Sequence, residues 1–91
     1  MPSREAVIGS SVGLHARPAN LFVQEVTKLA IPVQLQKEGR PAVDARSLLG
    51  IMTLGVKGGE TVTLIAEGEG ADEALDHLVE FLAIDHDATG S

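Results

Sequence analysis

Apolar residues recur along this chain with two different periods, and the changes of period mark out its elements. A short apolar run over Glu5 to Ile8 stops at Gly9, and Ser10, Ser11, Val12 and Gly13 supply loop residues, so a strand leads into a loop. From Ala16 to about Leu29 the positions Ala19, Phe22, Val23, Val26 and Leu29 recur at helical spacing and form one stripe, with Arg17, Asn20, Gln24 and Lys28 on the other side. Val33 and Leu35 alternate with Gln34 and Gln36, and Glu38 with Gly39 turns the chain into Arg40 to Val43, which predicts a hairpin. Thr61 to Glu67 has period two, with Val62, Leu64 and Ala66 on one face. A last helix is predicted over Ala71 to Ala83, its stripe formed by Ala71, Ala74, Leu75, Leu78 and Leu82. Asp72 and Glu73 stand in its first turn, where the helix dipole favours negative charge. Residues 85–91 read as a frayed tail.

One segment fits neither period cleanly. DARSLLGIMTLGVKGG is apolar at Leu48, Leu49, Ile51, Met52, Leu54 and Val56, too many positions for one stripe of a short helix. Some of them must face water: Ile51, Leu54 and Val56 are expected inside, and Leu48, Leu49 and Met52 outside, as an exposed patch that Leu21 extends. Ser47 suits the N-cap, and Gly55 or Gly58 can end the helix or the turn after it. The resulting order, β, α, β, β, α, β, α with four short strands, predicts an α+β domain: an antiparallel or mixed sheet with helices on one face.

Composition narrows the class of partner. Ninety-one residues without cysteine describe one small domain, residues 1–91, that folds on packing alone. Seven Lys and Arg face 13 Asp and Glu, and aromatic residues are limited to two Phe. A net charge of −6 opposes a phosphate backbone, and single strands find no stacking platform, so nucleic acid is not expected as a partner. No apolar run is long enough to span or insert in a membrane, and the N-terminal residues lack the apolar stretch of a secretory signal, which predicts a cytoplasmic protein. His77 beside the last helical stripe is expected in solvent, and His86 between Asp85 and Asp87 is too sparse a group for a metal site. No metal or cofactor is expected, and neither a P-loop nor a dinucleotide fingerprint is present.

The candidate chemistry lies in GLHARPA, residues 13–19, where a loop enters the first helix. Pro18 is tolerated only in the first helical turn, so the helix begins just before it, and the free N–H groups of Ala16 and Arg17 point out of the helix end toward His15. The helix dipole and the Arg17 guanidinium both disfavour an imidazolium, which leaves His15 a neutral nucleophile. A phosphoryl group on that nitrogen meets backbone N–H groups and the planar fork of Arg17. On chemistry alone a second reading stands beside this one: His15 as an ordinary capping residue and Arg17 as a solvated charge.

GLHARPA, followed some thirty residues later by DARSLLGIMTLGVKGG and then by a closing amphipathic helix, resembles the histidine-containing phosphocarrier (HPr) family of the bacterial phosphoenolpyruvate-dependent sugar phosphotransferase system. The resemblance covers about Arg4 to Ile84. It implies an open-faced β-sandwich, βαββαβα, with a four-stranded antiparallel sheet covered on one face by three helices. It also implies that His15 accepts a phosphoryl group on Nδ1 from phospho-enzyme I and passes it to enzyme IIA domains of sugar permeases, with Arg17 and the Ala16 backbone holding the phosphate. The chain is then a stoichiometric carrier rather than an enzyme, and is expected to be a monomer. Ser47 matches the family's regulatory position, which an HPr kinase/phosphorylase uses in some lineages; as a plain helix cap it needs no such role. The implied partner interface is Ala16, Asn20, Leu21, Arg46, Leu48, Leu49 and Met52. Gln24 and Thr27 stand where basic residues are frequent in the family, which weakens the attraction of acidic partners to that face. The competing functions are a regulatory or nitrogen-related paralogue acting as a partner-binding module and, setting the motif aside, a ferredoxin-like ligand sensor with an extra helix.

Overall fold

A computed structural model describes residues 2–9, 13–14 and 16–84. The elements follow the predicted order: β1 (Ser3–Val7), α1 (Ala16–Leu29), β2 (Val33–Lys37), β3 (Val43–Asp44), α2 (Leu48–Thr53), β4 (Thr61–Ala66) and α3 (Ala71–Ala83). The strands form one sheet in the order β1-β4-β2-β3, and every pairing is antiparallel. Period two decides the two faces of that sheet. Ala6, Val33, Leu35, Val62, Leu64 and Ala66 are buried on the inner face, and Phe22, Val26, Leu75, Leu78 and Leu82 bring the helical stripes against them in one cluster. The outer face, with Glu5, Gln36, Thr61 and Thr63, carries no covering layer among the described residues.

α3 lies over β1 and β4, while α1 packs beside α3 and α2. Phe22 and Phe81 join α1 to α3 with ring centroids 6.5 Å apart in a tilted arrangement, within the favourable range for aromatic pairs. At the end of β1 the chain passes very close to the C-terminal turn of α3. The Gly9 N–H donates to the Leu82 carbonyl at 2.8 Å, and a Cβ at this position would stand 1.9 Å from the Ala83 carbonyl oxygen, so only glycine fits. No described helix is long and apolar enough to cross a membrane.

Two boundaries differ from those expected. The first strand covers Ser3–Val7 rather than Glu5 to Ile8, although Ile8 still exchanges backbone bonds with Glu60 and Gly59. The second arm of the hairpin is Val43–Asp44, not Arg40 to Val43. Pro41 has no N–H to donate to a ladder, and Arg40 is held in the turn by its N–H bond to the Lys37 carbonyl at 3.0 Å, so pairing resumes only at Val43.

Candidate functional site

Gly13 and Leu14, just before α1, are held through the backbone. The Leu14 N–H donates to the Val56 carbonyl at 3.0 Å, and the Leu14 side chain is buried. Gly13 has φ +75°, and a Cβ there would come within 2.3 Å of the Val56 oxygen and 2.7 Å of the Lys57 Cα. Both the conformation and the approach therefore require glycine, and Gly13 and Leu14 are clamped to the segment that follows α2. α1 begins at Ala16, so Pro18 is its third residue, where the missing N–H is one that helix geometry leaves unbonded in any case. No acidic side chain occupies the first turn of α1, so the positive end of its dipole has no local carboxylate to offset it. Arg17 is exposed, and no carboxylate among the described residues pairs with it. His15 lies outside the described residues, as does His86.

α2 packs against α1 and β3, which brings the predicted surface segment beside the first helix. Ser47 is its N-cap: backbone φ −98° and ψ 104° are extended, and its Oγ accepts the Gly50 N–H at 3.1 Å. Ile51, Leu54 and Val56 are buried as expected, while Leu49 is 76% and Met52 42% exposed. Leu48 departs from expectation, because it is half-buried against the core. It stands three residues before Ile51 and shares that helical face, whereas Leu49 and Met52 share the outward one. Leu21, one turn beyond Arg17, is also half-buried, and Asn20 is exposed. Arg46 is exposed, with its Nε 3.5 Å from an Asp44 carboxylate oxygen.

Leu14, Met52, Gly55, Val56 and Lys57 line a cleft of about 240 Å³ beside the clamped loop. Small-molecule sites run to about 300–1,000 Å³ and enclose most of their ligand, so this cleft is sized for a single side chain. Sequence reasoning missed Lys57 as a lining residue, since nothing local to it signals that the loop before α1 folds onto it. Glu60 takes up nearby hydrogen bonds instead. Its carboxylate accepts the Lys57 backbone N–H at 2.7 Å and the Lys37 ammonium at 3.3 Å, and these two bonds, in that order, hold it below the ordinary glutamate range.

Elsewhere His77 on α3 is exposed, as expected, but bonds to Glu25 on α1, with 2.5 Å between Nε2 and Oε2. That bond is the largest cause of a lowered Glu25 pKa, partly opposed by burial and assisted by Lys28. No cluster of metal-ligating side chains occurs among the described residues.

Comparisons with known proteins place the chain in a family. A family model described as "PTS HPr component phosphorylation site" matches residues 2–83. The phosphocarrier protein HPr of Streptomyces coelicolor is 40% identical over 83 residues, covering 91% of this chain and 89% of that protein. The HPr-like protein Crh of Bacillus subtilis is 43% identical over 82 residues, covering 90% of this chain and 95% of that one. Among solved structures, HPr-C-His from Thermoanaerobacter tengcongensis superposes with a TM-score of 0.82 at 41% identity, covering 90% of this chain and 91% of that chain.

Proposed function

Because the chain belongs to the HPr family of phosphocarrier proteins, with the family model spanning residues 2–83, we propose that it carries a phosphoryl group on His15 between phospho-enzyme I and the enzyme IIA domains of sugar permeases. In this reading the lone pair of the neutral His15 Nδ1 attacks phosphorus, the N–P bond forms as the donor's bond to phosphorus breaks, and the reverse exchange delivers the group to the acceptor. No turnover is involved: each molecule takes and gives one phosphoryl group, and the partners supply the rest of the catalytic machinery. The observation that carries the proposal is the start of α1 directly after His15, with no acidic residue in its first turn and with Arg17 exposed and unpaired among the described residues. The dipole and Arg17 favour a dianion at that point and disfavour an imidazolium. The Ala16 and Arg17 N–H groups are the proposed backbone donors to the phosphate.

The proposed docking face comprises Ala16, Asn20, Leu21, Arg46, Leu48, Leu49 and Met52, with the exposed Leu49 and Met52 as its apolar centre. Regulation at Ser47 by an HPr kinase/phosphorylase is a further part of the proposal. Phosphorylation there replaces a neutral cap by a charged one and sets negative charge beside the patch, which opposes an acidic partner. The whole chain is proposed to work as one cytoplasmic, monomeric domain.

Likeness to Crh, 43% identical against 40% for HPr, supports a second reading as a regulatory partner-binding module. One experiment separates the two. Incubation with phosphoenolpyruvate and enzyme I is expected to add one phosphoryl mass that acid removes, since a phosphoimidazole is acid-labile and a phosphoserine is not. His15→Ala is expected to lose the addition while keeping its thermal unfolding transition. Equal labelling of the His15→Ala protein, or none of the wild type, contradicts the carrier reading.

A further inference from the structure

The charges of this chain are divided unevenly. Residues 58–91 hold nine of the 13 acidic residues and no Lys or Arg, whereas residues 13–57 hold six of the seven basic residues. Four of the seven cations in the whole chain are already engaged by the protein's own carboxylates. Arg4 bonds to Asp72 and Asp76 on α3, Lys28 to Glu25, Lys37 to Glu60, and Arg46 to Asp44. Among the described residues Arg17, Arg40 and Lys57 have no carboxylate partner within ion-pair distance. Arg40 belongs to the β2–β3 turn, whose Glu38 and Gly39 border the open face of the sheet. Lys57 is exposed and lines the same cleft as Leu14, the neighbour of His15, and the exposed Met52 of α2. Its backbone is fixed on both sides: the preceding Val56 carbonyl accepts from Leu14 and its own N–H donates to the Glu60 carboxylate, while its carbonyl accepts the Glu60 N–H at 3.1 Å.

We propose that Lys57 captures a carboxylate of the acidic protein partner that docks on the His15 face, while the cleft beside it takes an apolar side chain of the same partner. The inference rests on the carrier reading above and adds a contact outside the docking face proposed there. Charge complementarity selects the partner. With a net charge of −6 the molecule as a whole repels an acidic protein, and the acidic α3 surface repels it most, so approach is favoured only where unpaired cations face outward. Gln24 and Thr27 leave the outer face of α1 without charge at those positions, so steering shifts to Arg17 in the first turn of α1 and to Lys57 in the cleft.

Association with enzyme I, followed by stopped flow at low and at high salt, tests this. Lys57→Gln is expected to slow association about threefold to fivefold at low ionic strength, with the gap closing toward the wild-type rate near 0.5 M salt, as screening removes steering. Lys57→Glu is expected to slow it further, and Lys57→Arg to leave it within about twofold of wild type. Arg40→Gln removes the same charge away from the cleft and is expected to have the smaller effect. A Lys57→Gln rate equal to wild type, or a loss matched by Arg40→Gln, overturns the proposal. Phosphoryl transfer to the wild-type chain in the same samples keeps the two questions apart, because its absence rejects the carrier reading, whereas its presence with an unaltered Lys57→Gln rate rejects Lys57 alone.

Discussion

α3 and α2 are made of similar apolar residues and do different things with them. In α3 the stripe Ala71, Ala74, Leu75, Leu78 and Leu82 is buried throughout, and the outward positions Asp72, Glu73, Asp76 and Glu80 are charged. Val79 and Phe81 pack partly buried against the same core, so each large apolar side chain of α3 serves it. α2 has six residues, only Ile51 fully buried, and no charge among them to cover its outward face, where Leu49 and Met52 stand exposed. An apolar side chain left in water contributes little to folding, and the exposed pair on this short helix, capped by Ser47 and packed beside α1, is the apolar centre of the proposed docking face. The difference teaches that the same residue types mark core or surface according to how many stripes the helix has room to bury.

That comparison breaks most readily under truncation. Leu78→Ala is expected to lower unfolding free energy by about 2–5 kcal/mol, since it opens a cavity in a side chain's place at 0% exposure, and Leu49→Ala to change it by less than about 0.5 kcal/mol. Urea unfolding of both proteins measures this, and a large loss for Leu49→Ala would place α2 wholly in the core. Ser47→Ala should cost less, about 1 kcal/mol, because it orphans the Gly50 N–H at the start of α2 while leaving α3 untouched. Amide exchange resolved by residue should show the loss as earlier opening of α2.

The smallest expected effect concerns the α1–α3 contact. Glu25 titrates below its ordinary value of 4.5 in the folded chain, first through its bond to His77. A lowered folded pKa means that the stabilisation is complete above the unfolded value and is lost as pH falls through the folded one. His77 is 48% exposed, so the contribution should stay well below about 1 kcal/mol. Between pH 5 and pH 3 the wild type should lose slightly more stability than Glu25→Gln, as read from denaturant midpoints, and identical losses would show that the bond carries no linkage.

The sheet and both long helices were legible from periodicity because each presents one apolar face: Val62, Leu64 and Ala66 alternate, and the α1 and α3 stripes repeat at helical spacing. α2 was legible only in part. Its surplus of apolar residues predicted exposure, and Leu49 and Met52 show it, but Leu48 tucks beneath because it shares the face of Ile51, which a count of apolar positions does not resolve. The strand expected at Arg40 begins later because Pro41, a breaker present in the sequence, has no N–H to give the ladder. Gly13 and Pro18 placed the loop and the start of α1, whereas Lys57 could be found only once the Leu14 bond to Val56 had folded the loop onto it.

The central claim is that the face formed by α1, α2 and the cleft meets the phosphotransfer partner, while α3 and the open sheet do not. Titration of the isotopically labelled chain with enzyme I, followed by amide chemical shifts, tests it most directly. Shifts are predicted at Arg17, Leu21, Leu48, Leu49, Met52 and Lys57, with Asp72, Asp76 and Glu80 on α3 and Glu5, Thr61 and Thr63 on the sheet nearly unmoved; shifts centred on either of those latter groups, with Leu49 and Met52 still, would contradict the account.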